Sequence, residues 1–270
     1  MHDINIVIVN WKMKDEIKKC LETLYQDIAG SCIKIIIHVV DNSGNIDGIR
    51  QMLEEKFSEV KYLDAGGNIG FGKAQNLGLK SAQAEYYLPL NPDIEFIEGG
   101  KVFEKLVRFM QANPAAGIIA PKLLNPDNSV QESCYRFPSF FSQIFRRLGF
   151  NKKAVDYYLI RDFGHDSTVE VDWVMGSFML ARRELAEKIG FFDDRYFMYF
   201  EDCDWCRRTW LSGKKVYYVH NIAAKHTHKR DSASGSPVMA VLKNKTARIH
   251  LRSWLKYFLK WGIKKAHYGI

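Results

Sequence analysis

The stretch NIVIV at residues 5–9 decides the fold, because it is a short apolar run, rich in β-branched residues, that a helical pattern follows. Apolar residues then recur at helical spacing over residues 15–28. The unit repeats: KIIIHVV at 34–40 predicts a second strand, 46–57 a second helix and 60–63 a third, short strand. Alternation of this kind predicts a parallel sheet wrapped by helices.

The alternation continues after a glycine-rich turn and then stops. A helix is predicted over 71–81, a strand over 86–90 and a helix over 100–112. From Ile118 onward the alternation decays. The stretch 125–168 mixes prolines, aromatics and basic residues, and we expect a long irregular excursion there.

Regular patterns return in the last hundred residues. The run 169–181 predicts a strand, and a helix follows from Glu184. A second helix is predicted over 202–212 and a last core strand over 216–219. Residues 237–265 predict a basic amphipathic helix.

Composition excludes several classes of protein. With 270 residues, 47% apolar and 13% aromatic, the chain can bury a full core, which excludes a disordered protein. Five cysteines are an odd number, which argues against a disulfide framework and for a reducing compartment. The N-terminal apolar run lacks a basic region before it and is too short to span a bilayer, so we expect a cytoplasmic protein.

Polar groups follow the predicted strands at the edge where open α/β sheets bind ligands. Asp41 is placed to accept bonds from a ribose or base; the alternative is an Asx turn. The glycines within 66–72 let backbone amides approach a phosphate at a helix N-terminus, although such turns are common. Asp93 is placed to hold a divalent ion against a diphosphate, and a turn role for Asn-Pro-Asp is the alternative.

Three carboxylates, Glu201, Asp202 and Asp204, stand within four residues directly after an aromatic run. An apolar wall and like-charged neighbours bring a carboxylate towards the pKa that a general base needs. The alternative is a helix N-terminus, with Arg207 and Arg208 pairing one turn later. Both can hold, with Asp204 structural and Asp202 chemical.

Two histidines, His226 and His228, follow the last predicted core strand. Their spacing lets both face one side of an extended segment, and imidazole is a common metal ligand. A metal site is therefore one interpretation. Solvated histidines in a basic loop are the other.

Six motifs span residues 6 to about 230. They are IVIVNW at 6–11, VVDNS at 39–43, GNIGFGKAQNLG at 67–78, LNPD at 90–93, GSFML at 176–180 and YFEDCDWCRR at 199–208. In this order they resemble glycosyltransferase family 2, particularly the rhamnosyltransferase-like bacterial enzymes that extend lipid-linked or cell-surface polysaccharides.

The resemblance implies a GT-A fold: an α/β structure with a Rossmann-like, mixed, mostly parallel sheet flanked by helices and a C-terminal amphipathic helical extension. It implies one domain over 1–236, with a donor half over about 1–120 and an acceptor half over about 121–236, and then the helix in 237–270. The implied donor-binding residues are Val9, Asn10, Asp41, Asn68, Gly72, Asn76 and Asp93. The implied acceptor-binding residues are Trp173, Gly176, Ser177 and Glu201.

The same resemblance implies a divalent cofactor, Mg²⁺ or Mn²⁺. Asp93 stands where the family has the metal-binding carboxylate of its Asp-x-Asp motif, and His226 resembles the histidine that often completes the site. The chain departs from that motif at Asn91, which replaces the first aspartate. His228 is a rival ligand.

Asp202 resembles the general base of the inverting enzymes, which removes the proton from an acceptor hydroxyl as it attacks the anomeric carbon. Glu201 would orient the acceptor. The resemblance leans towards dTDP-L-rhamnose as the donor, with a UDP-linked hexose as the alternative. The implied acceptor is a glycan or a polyprenyl-diphosphate-linked sugar.

A net charge of +8 is concentrated in the last forty residues. Tryptophans and lysines at helical spacing there suit a membrane surface, which would place the protein at the inner face of the cytoplasmic membrane. The excursion adds a second basic-aromatic surface, formed by Arg136, Phe140, Phe141, Phe145, Arg146 and Arg147. The alternative is a helix that packs on the body with a solvated basic face.

Two other functions compete with this interpretation. A nucleotidyltransferase combines a nucleotide fold, a metal-bound aspartate and a basic surface, but it leaves Glu201 and Asp202 without a role. A non-catalytic membrane-binding or nucleic-acid-binding module explains the basic tail and also leaves the carboxylates idle. Because the basic residues lie mostly outside the core motifs, no nucleic-acid partner is predicted.

Overall fold

The computed structural model describes residues 2–140, 151–227, 244–263 and 266–270. The strands are β1 (His2–Asn10), β2 (Ile35–Asp41), β3 (Lys61–Asp64), β4 (Ala84–Leu90), β5 (Ile94–Phe96), β6 (Ala116–Leu124), β7 (Cys134–Tyr135), β8 (Val169–Glu170), β9 (Trp173–Val174), β10 (Leu180–Arg182) and β11 (Lys215–His226). The helices are α1 (Lys14–Ile28), α2 (Ile49–Lys56), α3 (Phe71–Leu79), α4 (Val102–Ala112), α5 (Lys152–Tyr158), α6 (Arg183–Ile189), α7 (Glu201–Leu211) and α8 (Lys245–Trp261).

The first four strands form a parallel half-sheet and confirm the predicted alternation. Their spatial order is β3-β2-β1-β4, and β1 pairs in parallel with both β2 and β4. The register places Asn10 opposite Asp41. The polar residues that end these strands therefore meet at the edge where open α/β sheets bind ligands.

The sheet continues through β10, β6, β11 and β5. β10 is antiparallel to both of its neighbours, β4 and β6. β11 is parallel to β6 and antiparallel to β5. The predicted mixed, mostly parallel sheet flanked by helices is confirmed.

Three predictions for the second half are wrong. Residues 169–181 do not form one strand but divide into β8, which pairs with β11, β9, which pairs with β7, and β10, which pairs with β4 and β6. The alternation of strands and helices was expected to decay after Ile118, but Ala116–Leu124 forms the nine-residue strand β6. β11 runs on to His226, past the predicted end at 219, with a register shift between Val219 and Ala223. The pairing partners of these strands are remote in the sequence, and local periodicity does not report them.

The two faces of β1 belong to two different cores, because successive side chains of a strand point to opposite faces. Ile4, Ile6 and Ile8 are fully buried against the helices α1 and α4. Val7 and Val9 face the second core, which α3, α6, α7 and α8 complete. Helices on both faces therefore hold the sheet rigid behind its ligand-binding edge.

α8 packs on the body through its apolar face. Trp254, Tyr257 and Phe258 are buried in the second core. Lys260 Nζ lies 2.7 Å from Asp204 Oδ1 and forms a buried ion pair with it. The inner face of α8 therefore packs on the body, as the alternative interpretation expected, and its outer face is exposed.

Some predicted features lie outside the described residues. They are the boundary at 236–237, His228, and the excursion residues Phe141, Phe145, Arg146 and Arg147. In the parts of the chain that the structure describes, no helix combines the length and apolar character that crossing a bilayer requires.

Candidate active site

The end of β1 is joined to the end of β2 by a hydrogen-bond network around Asp41. The Asp41 carboxylate accepts bonds from Asn10 Nδ2 at 3.0 Å, from Ser43 Oγ at 2.7 Å and from Tyr62 OH at 3.1 Å. Burial opposes ionisation, but the bonds from Ser43, Asn45 and Asn10 outweigh it and lower the pKa of Asp41. Asp41 is thus a fixed negative group under the predicted nucleoside site and also forms the Asx turn that was the alternative.

The glycine-rich turn before α3 is tied to the end of β2. Asn42 Nδ2 donates to Asn68 Oδ1 at 3.2 Å, and Asn42 Oδ1 accepts from Ile69 N at 2.9 Å. Gly70 N in turn donates to Asn68 Oδ1 at 3.1 Å. Asn68 therefore lies next to the Asp41 network, as the predicted donor site requires.

The N-terminus of α3 touches the acceptor half of the chain. Phe71 N donates to Phe197 O at 2.7 Å. Gly70 has φ +90°, and a Cβ there would overlap the Phe197 carbonyl. A Cβ on Gly72 would lie 3.7 Å from Glu201 Cβ. The glycines of this turn therefore allow close contact with the carboxylate loop.

Two predicted donor residues have structural roles here. Asn76 Nδ2 donates to Phe192 O at 2.8 Å and to Asp194 Oδ1 at 2.9 Å, and Asn76 Oδ1 accepts from Phe192 N. Val9 is 6% exposed and packs in the second core. Asn76 thus joins α3 to the loop before α7, and the Val9 side chain contributes to the wall behind the site.

The predicted metal ligands lie together although they are 133 residues apart: His226 Nε2 is 3.2 Å from Asp93 Oδ1. On its other side, His226 Nδ1 is 2.7 Å from Gln131 Oε1. Because a glutamine oxygen only accepts, Nδ1 carries a hydrogen, and Nε2 is the nitrogen directed at Asp93. Asn91 Nδ2 lies 3.4 Å from the same Nε2.

This cluster fits a divalent ion. A ligating histidine commonly donates its second N–H to an oxygen that orients the ring, and Gln131 supplies that oxygen. No group of three His, Cys, Asp or Glu forms a metal cluster within the described ranges. Mg²⁺ is bound in many enzymes by one or two protein side chains together with substrate phosphates and water, so two ligands suffice.

A tight turn brings Glu201 and Asp202 into the site. Tyr199 and Phe200 have φ of +73° and +70°, a left-handed conformation that costs on the order of 1–3 kcal/mol for such residues. α7 begins directly after this turn. Asp202 Oδ2 accepts from Gly176 N at 2.9 Å, and Asp202 Oδ1 accepts from Cys203 N at 2.8 Å.

Burial raises the pKa of both neighbouring carboxyl groups. For Asp202, N–H bonds from Gly176 and Cys203 oppose the rise. For Glu201, the charge of Asp202 adds to the effect of burial. Glu201 is 5% exposed, and its Oε2 has no hydrogen-bond partner among the described residues. The site therefore holds two adjacent carboxyl groups, both with a raised pKa, and that of Glu201 is raised to about 8.

Asp204 has the structural role that was one of the alternatives. It is fully buried and accepts bonds from Arg208 Nε at 2.8 Å and from Trp261 Nε1 at 2.8 Å. Arg207 instead donates to Tyr257 OH at 3.2 Å. Both arginines thus hold α7 in place, and Asp204 is unavailable to a substrate.

Three of the predicted acceptor residues, Trp173, Gly176 and Ser177, lie on one segment beside Asp202, and the fourth, Glu201, precedes Asp202 on α7. A Cβ on Gly176 would lie 3.2 Å from Asp202 Cβ, so the two residues are in direct contact. Trp173 stacks on Tyr135 with ring centroids 4.6 Å apart. The Ser177 hydroxyl is buried and has no hydrogen-bond partner in the described part of the chain.

Sequence reasoning missed Gln131 and Asp47. Gln131 orients His226 across 95 residues, in the excursion where no pattern marks it. Asp47 accepts from Asn10 Nδ2 at 3.2 Å and from Lys14 N at 3.1 Å. The sequence offered one signal for Asp47: it is an acidic residue that closely follows the Asp41 turn.

Comparisons with known proteins identify the family of the chain. The family model described as Glycosyl transferase family 2 matches residues 5–207. Rhamnosyltransferase WbbL of Escherichia coli K12 is 29% identical over 266 residues, which cover 95% of this chain and 93% of the relative. The N-acetylglucosaminyl-diphospho-decaprenol L-rhamnosyltransferase of Mycobacterium tuberculosis is 28% identical over 254 residues, 85% of this chain and 80% of the relative.

The fold also matches a solved structure. This is the mannosyltransferase PcManGT from Pyrobaculum calidifontis, in complex with GDP-Man and Mn²⁺, with a TM-score of 0.61. The match covers 97% of this chain and 65% of that chain at 14% identity. A likeness at this identity concerns the fold alone, and it confirms the GT-A class.

Proposed function

Because the chain belongs to glycosyl transferase family 2, we propose that it transfers L-rhamnose from dTDP-L-rhamnose, with inversion, to a hydroxyl of a lipid-linked or polysaccharide acceptor. Family membership makes the chain a glycosyltransferase, which sets aside the nucleotidyltransferase and the non-catalytic module. The names of the two rhamnosyltransferase relatives support the donor sugar. The M. tuberculosis name supports an acceptor sugar linked through diphosphate to a polyprenol.

One contact carries the proposal: Asn91 N donates to Ser177 O at 2.8 Å. Asn91 belongs to the loop of Asp93, and Ser177 follows Gly176, whose N–H binds Asp202. The loop that carries Asp93 is therefore bonded to the segment whose Gly176 N–H binds the candidate base Asp202. An in-line displacement needs this arrangement, with a cationic site for the leaving diphosphate and a base on the acceptor side.

In the proposed reaction, Asp202 takes the proton of the acceptor hydroxyl. The oxygen then forms a bond to the anomeric carbon of the donor sugar, and the bond from that carbon to the diphosphate oxygen breaks on the opposite face. Glu201 orients the acceptor, and Asp93 and His226 would hold the divalent ion. A bound Mg²⁺ or Mn²⁺ supplies charge neutralisation for the diphosphate as it leaves.

A thermal-shift panel tests the donor. We expect dTDP with Mn²⁺ or Mg²⁺ to raise Tm by about 5–10 °C at a hundredfold excess over Kd, because a ligand that binds only the folded state stabilises it by mass action. EDTA should abolish the shift. UDP, GDP, CDP and ADP are the matched controls. A selective shift with UDP would replace rhamnose by a UDP-linked hexose, and no shift with any nucleotide would contradict the donor site.

The outer face of α8 supports a membrane-bound acceptor. Leu251, Leu255 and Leu259 are spaced by four residues and are 37%, 45% and 85% exposed. Arg248, Arg252 and Lys256 are exposed beside them. A leucine ridge, defined by these three leucines, with cations alongside it fits the surface of an anionic bilayer. The proposed location is therefore the inner face of the cytoplasmic membrane.

The leucine ridge gives a direct membrane test. We expect the double variant Leu255→Gln/Leu259→Gln to bind vesicles containing an anionic phospholipid at least about tenfold more weakly, because it removes two apolar side chains from the lipid contact. Leu211→Gln is the matched control, since Leu211 is 60% exposed on α7. Cosedimentation measures the binding. Equal binding by the double variant and the control would contradict the membrane role of the ridge.

A further inference from the structure

Residues 266–270 lie against the strand segment that leads into the acceptor site. Ile270 N donates to Glu170 O at 2.9 Å. Tyr268 stacks on Trp210 of α7, with ring centroids 5.2 Å apart and planes within 11°. Trp210 Nε1 in turn donates to Asp172 O at 3.1 Å. This segment, which we call the strap, therefore joins α7 to β8 and β9.

Asp172 binds the strap with its carboxylate. It is fully buried and accepts from Tyr268 N at 2.6 Å and from Gly269 N at 2.9 Å. Its other oxygen accepts from Phe137 N at 2.8 Å. A buried carboxylate requires several partners to replace its hydration, and the strap supplies three: its two N–H groups and His267 Nδ1, which lies 3.3 Å from Asp172 Oδ2. The position of Asp172 therefore depends on the strap.

Gly269 allows the strap to come this close. A Cβ on Gly269 would overlap the backbone of Val171, and it would lie 2.5 Å from Glu170 O. These contacts are with backbone atoms and not with the end of a flexible side chain, so any larger residue at 269 has to displace the strap from the strand.

Gly176, whose N–H binds the candidate base Asp202, follows Asp172 by four residues on the same segment. Trp173 and Val174 pair with β7, and Met175 N donates to Ser133 O at 2.8 Å. Gly176 N then donates to Asp202 Oδ2 at 2.9 Å. A displacement at Asp172 is therefore passed along a short, extended backbone to the hydrogen bond on Asp202.

We propose that Asp172 and the strap are positioning elements of the transfer reaction, which hold the 172–176 segment so that Gly176 N–H stays on Asp202. The inference rests on the proposed role of Asp202 as the base. It assigns a function to a buried carboxylate and a glycine that have no contact with the donor edge. Neither residue takes part in the bond changes.

Two variants and one control test the strap. Gly269→Ala displaces it by its added Cβ, and Asp172→Asn keeps the shape of the side chain but removes the charge that binds Tyr268 N and Gly269 N. Gly164→Ala is the control, since its Cβ would meet only the Asp166 side chain, at 3.5 Å or more. Donor binding is followed by the thermal shift with dTDP.

The decisive readout is the pH dependence of kcat. The Gly176 N–H lowers the pKa of Asp202, so its loss should move the acidic limb up by about one pH unit. Glu201, Cys203 and Cys206 are the titratable groups of α7 that interact with Asp202, and Tyr257 of α8 reaches Cys203. All four are unchanged in these variants, and donor binding should also stay unchanged.

The outcomes separate the two proposals. An acidic limb that moves in both variants and stays in Gly164→Ala supports the strap. An unmoved limb in both variants, with an inactive Asp202→Asn in the same assay, would overturn the strap alone. Retained transfer in Asp202→Asn would overturn the base assignment and the strap with it.

Discussion

Replacing Asp202 by asparagine is expected to lower kcat for sugar transfer by about 10²- to 10⁴-fold, the range that a positioned general base contributes. Asparagine keeps the shape of the side chain but cannot take the proton of the acceptor hydroxyl. Because Asp202 is bonded to Gly176 and is not part of the Asp41 network, the thermal shift with dTDP should survive. Initial rates with dTDP-L-rhamnose measure the loss.

Asp204→Asn is the matched control, two residues away on the same helix. Asp204 is fully buried with Arg208 Nε at 2.8 Å and Lys260 Nζ at 2.7 Å. Removing its charge leaves Arg208 without its carboxylate partner and leaves Lys260 with Asp193 alone, and this should lower the free energy of unfolding by about 3 kcal/mol. Urea denaturation should therefore separate the two variants. Full transfer by Asp202→Asn at normal stability would contradict its role as the base.

The pH dependence of transfer also tests the assignment of Asp202 as the base. The base acts in its deprotonated form, so activity is lost as pH falls through its pKa. Burial raises the pKa of Asp202, which places the acidic limb above about 3.9, the ordinary value for aspartate. Burial and the Asp202 charge raise the pKa of Glu201, so the two groups titrate as a pair. Glu201→Gln removes Glu201 from this pair, so the acidic limb of that variant should report the titration of Asp202 alone.

Replacing Asp93 by alanine is expected to weaken metal-dependent binding of the donor by at least about 100-fold. Loss of a residue that only orients a metal ligand costs 10–100-fold in affinity, and loss of a ligand should cost more. His226 Nε2 would then face the ion without the carboxylate now 3.2 Å away. Titration calorimetry with dTDP in Mn²⁺ and in EDTA measures the effect.

Gln131→Ala should weaken metal binding less than Asp93→Ala does. Gln131 Oε1 lies 2.7 Å from His226 Nδ1 and determines which nitrogen faces Asp93. We expect a 10–100-fold loss in Mn²⁺ affinity, smaller than the loss for Asp93. Glu187→Ala, which replaces an exposed carboxylate of α6, is the control. Unchanged kinetics of Asp93→Ala in Mn²⁺ and in EDTA would remove this cluster from the donor site.

The donor half was predictable because its signals are local. The β-branched runs of β1 and β2, each followed by helical spacing, imply parallel strands. Such strands bring Asn10 and Asp41 to one edge, as their register shows. The acceptor half was less predictable. β10 inserts antiparallel between β4 and β6, and the favourable energy of this pairing comes from partners far away in the chain, which a local window does not contain.

Motif order was enough to identify the family and to nominate Asp93, His226 and Asp202, because residue type and spacing carry chemical information. Only tertiary structure brought Asp93 within 3.2 Å of His226, across 133 residues, and supplied Gln131 to orient the ring. These contacts depend on chain topology.

The three carboxylates at the start of α7 also separate what the sequence determines from what the tertiary structure decides. Three carboxylates within four residues are chemically equivalent in the sequence, and their number and type already indicated a base and a structural anion. Helix geometry turns successive side chains by about 100°, so neighbouring carboxylates face different surroundings. Asp204 meets Arg208 and Lys260 in a closed core, whereas Asp202 meets one N–H of the acceptor segment. Only folding assembles the surroundings that bind Asp204 in the core and leave Asp202 as the proposed base.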